Sequence, residues 1–244
     1  PDNIMATLTG LPALYGIDPM DTKTGQDHPL GAIGYDSFGR RYRYAQAGAV
    51  ALVKGNLLQS PARSTDYTDM AVQAAAAVDA STMEVTLGAT ATTADQFVEG
   101  TLVISVTPGI GQNFTVKSHD VTAASGTCTF NINEKILTAL TTSSKVTVTK
   151  NPYDGVIVSP TTRTGITVGV ALTATAIDDH CWIGVEGQFG VLSDVTVAAV
   201  GEGLSPSTTT AGCVTKAVTL LERIGTAGIL GVTAEVEPCF LSLP

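Results

Sequence analysis

Few residues in this chain could do chemistry, and their spacing limits what that chemistry could be. The most polar cluster, Asp178-Asp179-His180-Cys181-Trp182, offers zinc-ligand atoms and acid–base side chains in one stretch. A zinc site needs converging ligands, usually two closely spaced pairs, whereas adjacent residues of a strand or turn point to different faces. No second pair accompanies the cluster, so it reads as an Asp-Asp turn feeding a strand that buries Cys181 and Trp182. His28, His119 and His180 are the only histidines, and none adjoins a nucleophile elbow of the G-x-S-x-G type. Gly109-Ile110-Gly111-Gln112 lacks the third glycine, the lysine and the following helix of a phosphate-binding loop, and is expected to be a turn between strands. Gly225, Gly228 and Gly231 are expected to mark turns and close backbone approach. Neither catalysis nor a metal or cofactor is expected.

Arg40-Arg41-Tyr42-Arg43-Tyr44 is the one basic patch, and it follows a turn expected at Asp36-Ser37-Phe38-Gly39. In a strand, Arg41 and Arg43 share one face, and Tyr42 and Tyr44 share the other. Nucleic-acid binding would stack bases on the tyrosines and set phosphates on the arginines. A protein contact fits better, because Tyr and Arg are enriched at interface hot spots and an acidic body repels nucleic acid. A plain solvated hairpin is the alternative.

Sheet must position these residues. Thr occupies 36 and Val 25 of the 244 positions, and β-branched side chains lose rotamer freedom in helices but pack well on a pleated surface. Short alternating runs at 83–87, 101–106, 113–117, 127–132 and 145–149, separated by Gly, Pro, Asn and Ser, predict a small antiparallel sandwich or barrel. A second set covers 155–158, 166–176, 181–186, 190–192, 195–200, 212–216 and 229–243. Helices are predicted only at 49–54, 70–77 and 134–140. The expected fold class is all-β, with mainly antiparallel sandwich- or barrel-like domains, an extended N-terminal arm and a few short helices.

Charge and aromatic content set the boundaries. Residues 1–67 hold six basic and six acidic residues and six of the thirteen aromatics, so the whole net charge of −9 belongs to the remainder. Residues 1–30 are interrupted by Gly and Pro without a sustained period and read as an extended arm. Its apolar residues Ile4, Met5, Leu8, Leu11, Leu14 and Ile17 suit it to lying across a neighbour. The expected division is an arm and hairpin at 1–67, a first β domain at 68–152 and a second at 153–244. Candidate interface residues are Arg40, Arg41, Tyr42, Arg43 and Tyr44 in the hairpin, with Leu8, Leu11, Leu14 and Tyr15 in the arm.

The acidic balance argues against nucleic acid and against anionic membrane surfaces as partners. No apolar run is long enough for a membrane helix, and residues 1–9 lack the pattern of a signal peptide. Cys128, Cys181, Cys213 and Cys239 are irregularly spaced and read as free, buried thiols of a protein made in the cytoplasm. The alternative is two disulfides after secretion, which would give meaning to the sequon Asn113-Phe114-Thr115. Low charge and abundant Thr, Val and Ala leave apolar surface that a homo-oligomer would cover.

Three stretches resemble structural proteins encoded among the head genes of tailed bacteriophages. The first runs from His28-Pro29-Leu30-Gly31 through Gly39 to Tyr44, then Ala47-Gly48, Leu52, Gly55 and Leu57-Leu58-Gln59. The second is Gly109 to Phe114 with Val116-Lys117-Ser118-His119, then Ser143 to Thr147 and Asn151 to Val158. The last, Cys181 to Gly187 followed by Val191 to Asp194, Gly201, Ala211-Gly212 and Ile224-Gly225, is similar to the β domain of capsid decoration, or cement, proteins. The resemblance implies a non-enzymatic capsid-stabilising protein on the virion surface, assembled in the host cytoplasm. Its partners would be the major capsid protein and its own copies, most simply as a homotrimer at a symmetry axis. A tail or baseplate adaptor is the alternative, and a secreted carbohydrate-binding or hydrolytic β protein is the third reading.

Overall fold

The computed structural model describes residues 14–194, 199–217, 223–229, 232 and 234–243. In chain order the strands begin with β1 (Leu14–Tyr15), β2 (Thr22–Lys23), β3 (Ile33–Tyr35), β4 (Arg41–Ala47) and β5 (Leu57–Gln59). Next come β6 (Met70–Ala71), β7 (Thr82–Thr86), β8 (Thr101–Val106), β9 (Asn113–His119), β10 (Thr127–Ile132) and β11 (Lys145–Thr149). The remainder are β12 (Asp154–Val158), β13 (Thr167–Ala171), β14 (His180–Leu192), β15 (Gly203–Pro206), β16 (Val214–Lys216), β17 (Gly225–Ala227) and β18 (Val236–Ser242). The fold is all-β, as the β-branched composition predicts.

Two compact units divide the chain, and the division differs from the expected one. One unit takes residues 1–62 together with 152–244, and the other is the insertion 63–151. The hairpin region and the C-terminal β segment are therefore one body, because β4 pairs with β12 on one edge and with β14 on the other.

In the insertion, the strands follow the order β6-β11-β8-β9-β10-β7, every pair antiparallel. A bridge between Val72 and Val85 joins the two ends, so the sheet closes into a barrel. Strand alternation fills it: Leu102 and Ile104, Phe114 and Val116, Cys128 and Phe130, and Val146 and Val148 point inward.

In the other unit, the path β4-β12-β5-β13-β14 returns to β4, giving a second ring of strands. Two of its pairings, β12 with β4 and β1 with β3, are parallel. The long strand β14 leaves the ring past Glu186 and pairs with β18, from which β17, β15 and β16 extend the sheet.

The three expected helices are absent; among the described residues the only helical turn is a 3-10 turn at Thr65–Tyr67. Residues 49–54 are drawn extended by a bridge from Leu52 to Thr175. Within 70–77, Met70 and Ala71 pair with β11, and Ala76 bridges Leu140 of the third segment. Alanine favours helix only weakly, and cross-barrel hydrogen bonds overrule it here. The strand expected at 195–200 and Gly231 fall largely outside the described residues.

Candidate functional site

The first region reaches its geometry through one carboxylate. Asp36 closes the turn between β3 and β4: its Oδ1 accepts from the N–H of Phe38 (2.9 Å) and of Arg40 (3.0 Å). Its Oδ2 accepts from Arg40 Nε (2.7 Å) and from the Tyr42 hydroxyl (2.9 Å). Gly39 supplies the positive φ of 78° that brings the chain round. Burial opposes ionisation of Asp36, but the four donors outweigh it and hold its carboxyl at about 2. Burial first, and the neighbouring Asp36 second, push the Tyr42 phenol up to about 12.

This locked turn displays Phe38, which is 85% exposed, with the Arg40 guanidinium 6.0 Å from its ring. Beside it, β1 runs parallel to β3, and the exposed ring of Tyr15 stacks on Tyr35 with centroids 5.6 Å apart. A large apolar ring left in water on a preorganised turn is costly to the monomer and suited to a partner, because little entropy remains to be lost on binding.

The alternation expected from the sequence is present in β4, but its consequence differs. Tyr42 and Tyr44 are buried in the core, where Tyr42 packs on Phe189 and Tyr44 on His28, His180 and Trp182, so neither is an interface residue. Arg41 donates to the Leu243 carbonyl (2.6 Å) and pairs with Glu186 (3.2 Å). Arg43 donates to the Gly31 carbonyl (2.9 Å) and lies over the Tyr153 ring. Arg40 is bound to Asp36. The three guanidinium groups are thus engaged within the chain.

The arm is also integrated from Leu14 onward. Ile17 packs against the core, β2 pairs with β14, and Leu30 is buried. A Cβ on Gly34 would sit 2.6 Å from Ile17 Cδ1 and 2.9 Å from Trp182 Cζ3, which measures how closely the segment lies on the body. Leu14 is partly buried and Tyr15 exposed; Leu8 and Leu11 lie outside the described residues. Composition concealed Phe38 as a surface aromatic; the turn signal Asp-Ser-Phe-Gly, with its aromatic at the tip, was the available clue.

The reactive residue types are built into structure. At 178–182, Asp178 adopts φ 62° in a turn, and His180, Cys181 and Trp182 are buried, as the turn-and-strand reading expects. The 109–112 segment is a turn between β8 and β9, with positive φ at Gly109 and Gly111. His119 Nε2 accepts from the Phe97 N–H (3.1 Å), and its Nδ1 lies 3.0 Å from the Asp120 carbonyl, so Nδ1 holds the hydrogen and cannot take a proton from Cys128 at 3.8 Å. Ser207 donates to buried Asp194 (2.5 Å) and accepts from the N–H groups of Thr209 and Thr210, which leaves its oxygen occupied. All four cysteines are free and buried. Burial raises each thiol, and Cys239, also facing Glu237, reaches about 11. Among the described residues no group of three or more His, Cys, Asp or Glu could hold a metal, and no helix is long and apolar enough to cross a membrane.

Comparison with protein-family models, with curated proteins and with solved structures yields no match.

Proposed function

We propose that the chain is a non-enzymatic structural protein of a tailed-phage virion, decorating and cementing the capsid shell as a homo-oligomer, most simply a trimer. The observation that supports it best is the locked β3–β4 turn, which holds Phe38 in solvent beside the Tyr15–Tyr35 stack. Such a surface suits attachment to another protein: rigid aromatic side chains are the commonest anchors of protein interfaces. The occupied His119 and Ser207 and the buried, raised thiols fit a protein that binds rather than catalyses. The sequence resemblance to decoration proteins supplies the identity of the partner, the major capsid protein.

The attachment role moves from the basic strand to the turn. Arg41 and Arg43 serve the body, so Phe38 and Tyr15 become the anchors. Phe38→Ser combined with Tyr15→Ser should leave the melting temperature within a few degrees of wild type and weaken binding to undecorated capsids at least tenfold, read by co-sedimentation. Unchanged binding would remove the turn from the interface. Counting copies in purified particles tests the broader reading: numbers comparable to the shell protein support it, a few copies per particle indicate a tail adaptor, and absence from particles overturns both.

A further inference from the structure

The end of the inserted barrel remote from Arg63 and Asn151 is built from three chain segments that hydrogen bonds fix together. Residues 76–80 run beside 136–140, with Ala76 and Leu140 exchanging backbone bonds, Asp79 N–H donating to the Ile136 carbonyl and Ile136 N–H to the Ala80 carbonyl. The Gln112 side chain stitches the 109–112 turn to the same segment. Its Oε1 accepts from the N–H of Leu137 (2.8 Å) and Thr138 (3.1 Å), and its Nε2 donates to the carbonyls of Gly109 (3.2 Å) and Thr138 (3.1 Å). With every hydrogen-bonding position of that amide used, the loops form a rigid platform.

The platform is apolar on its outer side. Leu137 is 76% and Ile110 65% exposed, and exposed Val78, Ala77 and Ala139 lie on the two paired segments between and beside them. Its charges are balanced, unlike those at the opposite end of the barrel. Asp79 and Glu134 are matched by Lys135 and Lys145, whereas the opposite end of the barrel gathers Asp66, Asp95, Glu99 and Asp120 against Arg63 and Lys150. Asp79, Lys135 and Lys145 are exposed, and none of them forms an ion pair among the described residues.

We infer that this platform is a self-association face, through which copies of the chain meet. A strongly charged partner finds no complement there. Copies of a chain with net charge −9 repel one another, and this charge-balanced end adds nothing to that repulsion. Its unpaired Lys135 and Asp79 are of opposite sign, so a symmetry-related copy can satisfy both while the aliphatic side chains are withdrawn from water. The inference rests on the homo-oligomeric part of the proposed function and names the surface that would serve it.

Sedimentation of the purified full-length chain across 1–100 µM (roughly the range of moderate protein affinities) provides the test. Wild type should form a discrete oligomer, and Leu137→Asp combined with Ile110→Asp should raise its dissociation constant at least tenfold with an unchanged circular dichroism spectrum. Val121→Asp, a matched change at a 71% exposed position on the other end of the barrel, should sediment as wild type. A monomeric wild type, an undisturbed Leu137→Asp/Ile110→Asp oligomer, or equal dissociation by Val121→Asp would each overturn the self-association face. Capsid binding and copy number are read separately, so the capsid reading and this one can fail independently.

Discussion

Asp36 fixes the turn that displays Phe38. Four donors converge on its two oxygens, and two of them come from the turn that carries Phe38. Its folded-state value of about 2 lies below the ordinary 3.8. A depressed carboxyl stabilises the fold above its unfolded value and loses that contribution as the pH falls through its folded value. The hairpin should therefore be fully held at pH 5 and loosen between roughly pH 4 and pH 2, seen as increasing hydrogen exchange at the Phe38 and Arg40 amides. Asp36→Ala should reproduce the loosening at neutral pH and cost about 1–2 kcal/mol; amides equally protected in wild type and variant would show the turn to be held by its backbone alone. Residue types forecast little of this. Asp-Ser-Phe-Gly marks a turn in the sequence, but that Arg40 and Tyr42 return to the same carboxylate depends on the pairing of β3 with β4.

At the scale of elements, strand alternation was legible and the partners of each face were not. Period two puts Tyr42 and Tyr44 opposite Arg41 and Arg43, but it cannot say which face meets the core. Here β14 lies along β4 and brings Trp182 and Phe189 over the tyrosines, so the aromatic face turns inward. The arginines then take up backbone carbonyls that no neighbouring strand reaches, at Gly31 and Leu243. The same long-range pairing hid the role of residues 14–30, whose Gly and Pro spacing reads as detached chain although Ile17, Leu30 and β2 are fixed to the body. Deleting residues 1–30 should thus destabilise this unit, since each buried aliphatic contributes roughly 1.5–3 kcal/mol. Arg43→Ala should cost about 1–2 kcal/mol by freeing the Gly31 carbonyl. Chemical denaturation measures both, and a deletion that unfolds at the wild-type midpoint would restore the picture of a free arm.

For the whole molecule, the decisive feature is where the barrel enters. β5 and β12 are antiparallel neighbours in the register Ile157 to Gln59 and Val158 to Leu58. Continuing that register brings Ala62 opposite Asp154, so the two ends of the insertion emerge where a hairpin turn would otherwise join the strands. No composition shift announces this. The sequence boundary near 67 follows charge and aromatic content, whereas the structural boundary follows strand pairing, which unites residues separated by the whole barrel. The insertion meanwhile closes on itself through Val72 and Val85 and holds its own core around Phe97, Phe114 and Phe130. Neither body should then need the other to fold. Replacing residues 63–151 with Asn-Gly, which leaves a four-residue connection of Asn, Gly, Pro152 and Tyr153 between Ala62 and Asp154, should leave the remaining unit folded with its Trp182 fluorescence still that of a buried indole. The excised barrel should unfold in a single cooperative transition, and the intact chain should show both transitions in calorimetry. A deletion variant whose tryptophan is solvent-exposed would mean that β5 and β12 need the barrel to hold their register, and that the insertion is part of the folding unit it interrupts.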